Sequence, residues 1–369
     1  MIDRQRALWV VRYGIGTVAL AWLIVRADWA EVVTTLSGMG PSAVAIVLGA
    51  SVIGTVAQCW TWHVLLNRIR STPFRAAAGV LLTVRFINHL TPSQAVGKSL
   101  APAVLRQYTG YPWGTVVAVA TLHTALYAVL YGVVALAGLG VFASSLSVGL
   151  LVVIAASAGL YLVVGPLLFV AGTRLDGAAA VAAAVRERVP IQRLPYAEAL
   201  LAKAVGALPD IGEETAETLT RLRRDPVAIG GYTVGWTIAL LVVPGVRVGV
   251  LLSAAGVTFA PVSLSVAGVE LAVLLLPIAL VTAYAVTLLP ITPGGIGVAE
   301  ASATLVLAAL GVPATIAGPT ILIDRFLGVY LPALVGWYPT MQLDIRPGRR
   351  ASDHRGMDRH LAGAGQRPL

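Results

Sequence analysis

The chain predicts an all-α polytopic membrane fold of about eight transmembrane helices, interrupted by two re-entrant broken-helix units arranged as an inverted repeat. Three observations carry that expectation. Of the 369 residues, 57% are hydrophobic and only 12% are charged, about half the charged share of an ordinary soluble domain. Several apolar runs reach the roughly 20 residues needed to cross a hydrocarbon core. Two segments marked by Pro and Gly, residues 91–106 and 292–302, place ionisable side chains beside those runs. Backbone that is not cleanly helical is tolerated at membrane depth only where protein or a water-filled cavity surrounds it. These segments are therefore the expected working parts.

Residues 1–171 make the first membrane half. A crossing at 7–25 is expected to be retained, because its apolar run ends at Arg26 and Asp28 without a small-residue cleavage site. The second crossing, 42–66, is followed by Arg68, Arg70 and Arg75, which hold that loop inside together with Arg4 and Arg6. Counting 74–90 as a full crossing places the arginine-rich central loop outside. A re-entrant unit near 74–106, entered from the cytoplasm, removes the conflict. Further crossings follow at 113–136 and 146–170.

Residues 172–225 read as a cytoplasmic amphipathic linker, with helices at 181–188 and 197–208, an acidic turn GEETAE and the basic run RLRR. The second membrane half, 226–340, accommodates crossings at 227–243, 248–262, 266–289 and 315–337. A second re-entrant unit near 290–310 enters from outside. An even count returns the basic tail, 341–369 with its six arginines, to the cytoplasm beside the N-terminus. The +9 formal charge fits topogenic loops and anionic lipid heads, and no nucleic-acid module accompanies it. The single cysteine, Cys59, cannot form an internal disulfide and reads as a small buried hydrophobe.

Both broken units contain Thr-Pro and nearby glycine. Antiparallel broken segments are what an inverted repeat places around a central transport site. In the first, Pro92 and Pro102 limit continuous hydrogen bonding and Gly97 permits close backbone approach. Lys98 and Arg106 supply positive charge suited to a phosphate or another anionic lipid head, with snorkelling to the interface as the competing role. Arg85, Asn88 and His89 extend the polar wall. In the second, Pro293, Gly294, Gly295 and Gly297 form a tight corner before a helix-forming run, whose free N–H groups suit an anion. Glu300 falls in that helix's first turn, where it favours the dipole and is placed to pair with Lys98 or another cation. Asp324 and Arg325 interrupt an apolar run; adjacent helix positions do not face each other. Arg325 is expected to point inward, toward Glu300 or an anionic substrate, and Asp324 toward an interface.

The catalytic signatures are missing: there is no HExxH, CxxC pair, GxSxG or GxxxxGK. Scattered His63, His89 and His123 lack metal-ligand spacing, so neither a metal nor a cofactor is expected.

On the segments PITPGGIGVAEAS (290–302) and DRFLGVYLPALVGW (324–337), the chain resembles the membrane region of the lysylphosphatidylglycerol synthase and flippase-like family, over residues 8–338. Asn88, Pro92, Gly97 and Arg106 look like that family's polar, proline, glycine and arginine positions, with Val96-Gly97 where a paired glycine is common. The resemblance implies importance for Gly294, Gly295, Gly297, Glu300 and Arg325. It also implies movement of an anionic, polyprenyl-phosphate-linked or aminoacylated lipid between leaflets. It does not imply lipid aminoacylation, since the soluble transferase domain of some relatives is absent here. A membrane-bound lipid or glycosyl transferase component and a cell-envelope scaffold are the alternatives. A second copy of the chain and a lipid-modifying enzyme are the partners these readings leave open.

Overall fold

The computed structural model describes residues 37–90, 94–173, 211–257, 265–266, 269–270, 272–288, 292 and 295–342. The crossing expected at 7–25, the linker helices at 181–188 and 197–208, and the basic tail lie outside the described residues. The ten helices described here are α1 (Pro41–Asn67), α2 (Phe74–Leu90), α3 (Gln94–Thr109), α4 (Trp113–Phe142), α5 (Val148–Thr173), α6 (residues 211–223), α7 (Pro226–Ala254), α8 (Ala272–Tyr284), α9 (Val298–Ala309) and α10 (Ala314–Met341). One small antiparallel hairpin, β1 (Ser265–Val266) with β2 (Val269–Glu270), precedes α8. Five of the helices are long and apolar enough to cross a membrane.

Three sequence expectations are corrected. The crossings placed at 227–243 and 248–262 are one continuous helix, α7. Just before Pro244 the chain widens into a π-turn over Ile238–Val242, with Val243 N–H bonded to the Ile238 carbonyl. The wider turn relieves the clash that a proline ring makes with the preceding turn. The acidic segment GEETAE is not a turn: it lies within α6. There Glu214 accepts from both the N–H and the hydroxyl of Thr115, satisfying an orphan donor in the first turn of α4. The crossing expected at 266–289 is shorter than drawn, because the β-hairpin takes its first residues and a 3₁₀ turn, Ala285–Leu288, ends it.

Arginines collect at one end of the bundle. Arg68 pairs with Asp225 at 2.6 Å, Arg221 donates to the Arg68 carbonyl, and Arg106 lies 5.0 Å from the Trp113 ring. The open end of the α2–α3 pair lies here: Gly79 in the first half of α2 lies against the Tyr108 ring near the end of α3, Thr83 one turn further along α2 bonds to its hydroxyl, and Tyr108 donates to the Pro339 carbonyl near the end of α10. α2 and α3 are thus an antiparallel hairpin. The α8–α9 pair is the opposite case. α9 leads directly into the start of α10, at the end away from the arginines, and Ser302 of α9 bonds back to the Ala283 carbonyl of α8.

The two hairpins therefore point at each other. Their inner ends meet one stretch of α10, where a second π-turn spans Phe326–Tyr330. Pro332 brings no N–H to the Gly328 carbonyl, and Arg85 of α2 donates to it at 3.1 Å. From the other side, Tyr330 donates to Glu300 of α9. Helix rise puts Arg85 about 16 Å and Arg325 about 24 Å from the arginine-bearing end. The meeting point is deep in the bundle.

Candidate functional site

At that depth lies a cavity of about 250 Å³, lined by residues of α1, α2, α4, α7, α8 and α10. One side of its wall is ionic. Arg325 donates from Nε to Glu300 Oε1 at 2.8 Å, and Glu300 is fully buried. The second carboxylate oxygen receives the Gly297 N–H at 2.7 Å. Gly297 and Gly295 have φ of 81° and 73°, the left-handed region that non-glycine residues enter only with strain. That corner folds the chain so that Glu300 closes over its own helix start. The helix N-terminus read in the sequence as an anion site is thus already filled by the protein's own carboxylate.

A second ion pair adjoins it. Arg247 of α7 holds Asp324 at 2.7–2.8 Å through Nη2 and Nε, and Tyr284 donates to the other Asp324 oxygen at 3.1 Å. Both Arg247 and Asp324 are buried. Asp324 therefore does not sit at an interface, as the sequence reading had it. Adjacent residues on α10 diverge to separate partners, Asp324 to α7 and Arg325 to α9. The Arg325 guanidinium also lies 5.2 Å from the Tyr284 ring and 5.8 Å from the Tyr330 ring, within cation–π range.

The third arginine is different. Arg85 lines the cavity and bonds only to neutral groups, the Gly328 carbonyl and the Gln58 side chain. Among the described residues it has no acidic partner. With imidazoles neutral, three guanidiniums face two carboxylates, so the centre carries one excess positive charge. Asn88 and His89 line the same cavity one turn further along α2. His89 Nδ1 is 2.8 Å from the Arg85 carbonyl, which puts a hydrogen on Nδ1, so that in the neutral ring Nε2 is an acceptor.

The cavity's other side is aromatic. Trp62 stacks on His123 at 3.7 Å between ring centroids, His123 meets Tyr232 edge-on, and Tyr131 meets Trp236 edge-on at 6.0 Å. Trp236 is almost wholly buried, and among the described residues its indole N–H has no acceptor.

Of the residues singled out in the sequence, Arg85, Asn88 and Arg325 line the cavity, and Glu300 stands behind Arg325. Arg106 is elsewhere. It is exposed at the end of α3, donating to the Tyr111 carbonyl and lying over Trp113. Gly97 is inside a helix rather than at a break. Pro92, Pro293, Gly294 and the Lys98 side chain lie outside what is described. Arg247, Gln58, Tyr284 and Trp236 were missed. Arg247 alone carried a readable signal, an arginine inside an apolar helix, which membrane energetics marks as functional by default. Among the described residues, no cluster of three or more His, Cys, Asp or Glu is disposed to hold a metal.

The model of the family described as the lysylphosphatidylglycerol synthase TM region matches residues 9–336. No curated protein and no solved structure matches the chain. The match covers most of the sequence, and the chain belongs to that family.

Proposed function

We propose that this chain carries a phosphate-bearing or aminoacylated lipid between leaflets, the headgroup passing through the central cavity while the acyl or prenyl tail stays in hydrocarbon. The observation that carries the reading is Arg85, a cation at membrane depth that lines a cavity and faces only neutral partners. Such a charge is costly unless something compensates it, and a lipid phosphate matches a guanidinium fork.

The opposed hairpins favour two re-entrant units related as an inverted repeat, with the broken segments around the transport site. The arginine-bearing end is taken as cytoplasmic on the positive-inside rule, which puts both termini there. In this reading the chain itself makes no covalent change, and a separate lipid-modifying enzyme supplies or consumes the cargo.

The test is reconstitution of the purified chain in vesicles, following leaflet exchange of labelled phospholipids and polyprenyl phosphates. Wild type is expected to accelerate exchange of at least one anionic lipid, and Arg85→Gln to lower that rate about tenfold, the loss of ~1.4 kcal/mol of headgroup binding. Exchange no faster than in protein-free vesicles for every lipid tried overturns the proposal.

A further inference from the structure

The unpaired groups in the cavity say more about the headgroup than its charge alone. Three of the residues that line the cavity with Arg85 carry a buried polar atom without a partner among the described residues: Asn88 Oδ1 and His89 Nε2, which accept, and Trp236 Nε1, which donates. Buried polar groups left unpaired cost free energy, so a matching ligand brings acceptors and donors together. A phosphate supplies the acceptors, for Arg85 and the indole. Hydroxyl groups supply the donors, for Asn88 and His89.

An ammonium also donates, and charge separates the two cases. Both free acceptors are on α2 within one turn of Arg85, and His89 packs at 5.9 Å from Tyr330, itself against Arg325. The two carboxylates of the centre are already held by Arg247 and Arg325. A cationic headgroup placed at Asn88 and His89 meets a like charge and no available acid. The aromatic wall, by contrast, suits the C–H faces of a glycerol or sugar as readily as any flat apolar surface.

We infer that the cavity selects a net-anionic headgroup built from phosphate and hydroxyls, such as a glycerol or hexose phosphate, and rejects a headgroup bearing an aminoacyl ammonium. This deepens the transport reading by naming its substrate class, and it rests on that reading for the cavity's role. The family is described by a lysylated lipid, so the inference separates this chain's cargo from that lipid.

Binding tests it independently of transport. Radiolabelled phosphatidylglycerol, a hexosyl-phosphate polyprenol and lysylphosphatidylglycerol are each titrated against the purified full chain in detergent micelles. At least one of the two hydroxylated anionic lipids is expected to bind at least tenfold more tightly than the lysylated one, and comparison of the two distinguishes glycerol from sugar. Trp236→Phe removes the indole N–H together with part of the ring, and in protein shown by thermal unfolding to stay folded it is expected to weaken the preferred lipid three- to tenfold while leaving the weak binding of the lysylated lipid unchanged. Asn88→Asp, which adds a carboxylate beside Arg85, is expected to raise affinity for the lysylated lipid. Equal or tighter binding of the lysylated lipid by wild type overturns the inference, as does unchanged affinity in Trp236→Phe. Selective binding without leaflet exchange leaves the headgroup assignment standing and removes the transport reading; exchange that ignores headgroup charge does the reverse.

Discussion

The buried centre and the arginine-bearing end use the same side chains for opposite purposes. At the end, Arg68 and Asp225 form an ion pair whose side chains are 43% and 19% exposed. In the centre, Arg247–Asp324 and Arg325–Glu300 are enclosed, with Glu300 wholly buried. Surface pairs contribute about 0–1 kcal/mol because water already solvates both partners. Buried pairs are held in place by what their loss would leave behind, since removing one member strands an uncompensated charge at a cost of about 3–5 kcal/mol. The end of the bundle thus gains little stability from its ion pair, whereas the centre holds a set of charges that exchange partners only at high cost unless a ligand compensates them.

The largest expected effect follows from breaking the centre. Glu300→Ala removes the partner of Arg325 and the acceptor of the Gly297 N–H together, and is expected to destabilise the protein by about 3–5 kcal/mol. Thermal unfolding in detergent measures it. Glu300→Gln combined with Arg325→Met removes both charges, and is expected to recover more than half of that loss, because a buried pair replaced by uncharged groups is often neutral. A double variant no more stable than Glu300→Ala would mean that packing, not charge, dominates here.

Smaller effects sharpen the same contrast. Tyr330→Phe deletes one charge-assisted hydrogen bond to Glu300 while leaving the ion pair, and is expected to cost about 1.5–3 kcal/mol. Gly336→Ala tests whether the first hairpin must lie against α10. A Cβ there meets the Leu82 carbonyl, backbone against backbone, so the helices must part. A loss of about 1–3 kcal/mol is expected, with a drop in leaflet exchange, since the same separation draws Arg85 from Gly328.

How much of this was legible depends on whether the cause was local. α1, α4, α5 and α10 stand within a few residues of their expected places, because a run of membrane length needs no knowledge of its neighbours. α7 was expected as two crossings, 227–243 and 248–262, and nothing in the local sequence announces that a π-turn carries one helix through Pro244. In the site, Glu300 and Arg325 were legible as charges amid apolar residues. Their neighbour Asp324 was legible as a charge as well, but its buried position was not, because its partner lies 77 residues earlier. Arg85 and Arg106 look alike in sequence. Only the direction of the α2–α3 hairpin decides that one lines the cavity and the other lies at the rim.

The smallest expected effect belongs to that rim and separates it from the centre by pH. The Asp225 carboxyl is held below the usual carboxylate range, chiefly by its hydrogen bond from Arg68 and also by the N–H groups of Ala228 and Val227 at the start of α7. A depressed native pKa means that the unfolded chain takes up its proton first as acid is added. The stabilisation is therefore complete above the unfolded value of about 3.9 and is lost as pH falls through the lower native one. Asp225→Asn is expected to lower the unfolding temperature slightly at pH 7 and to converge on wild type in acid, with the gap also narrowing in high salt as the exposed pair is screened. A gap that persists unchanged at low pH would assign the effect to the geometry of the helix cap instead of its charge, and would leave the rim arginines without an energetic role at this position.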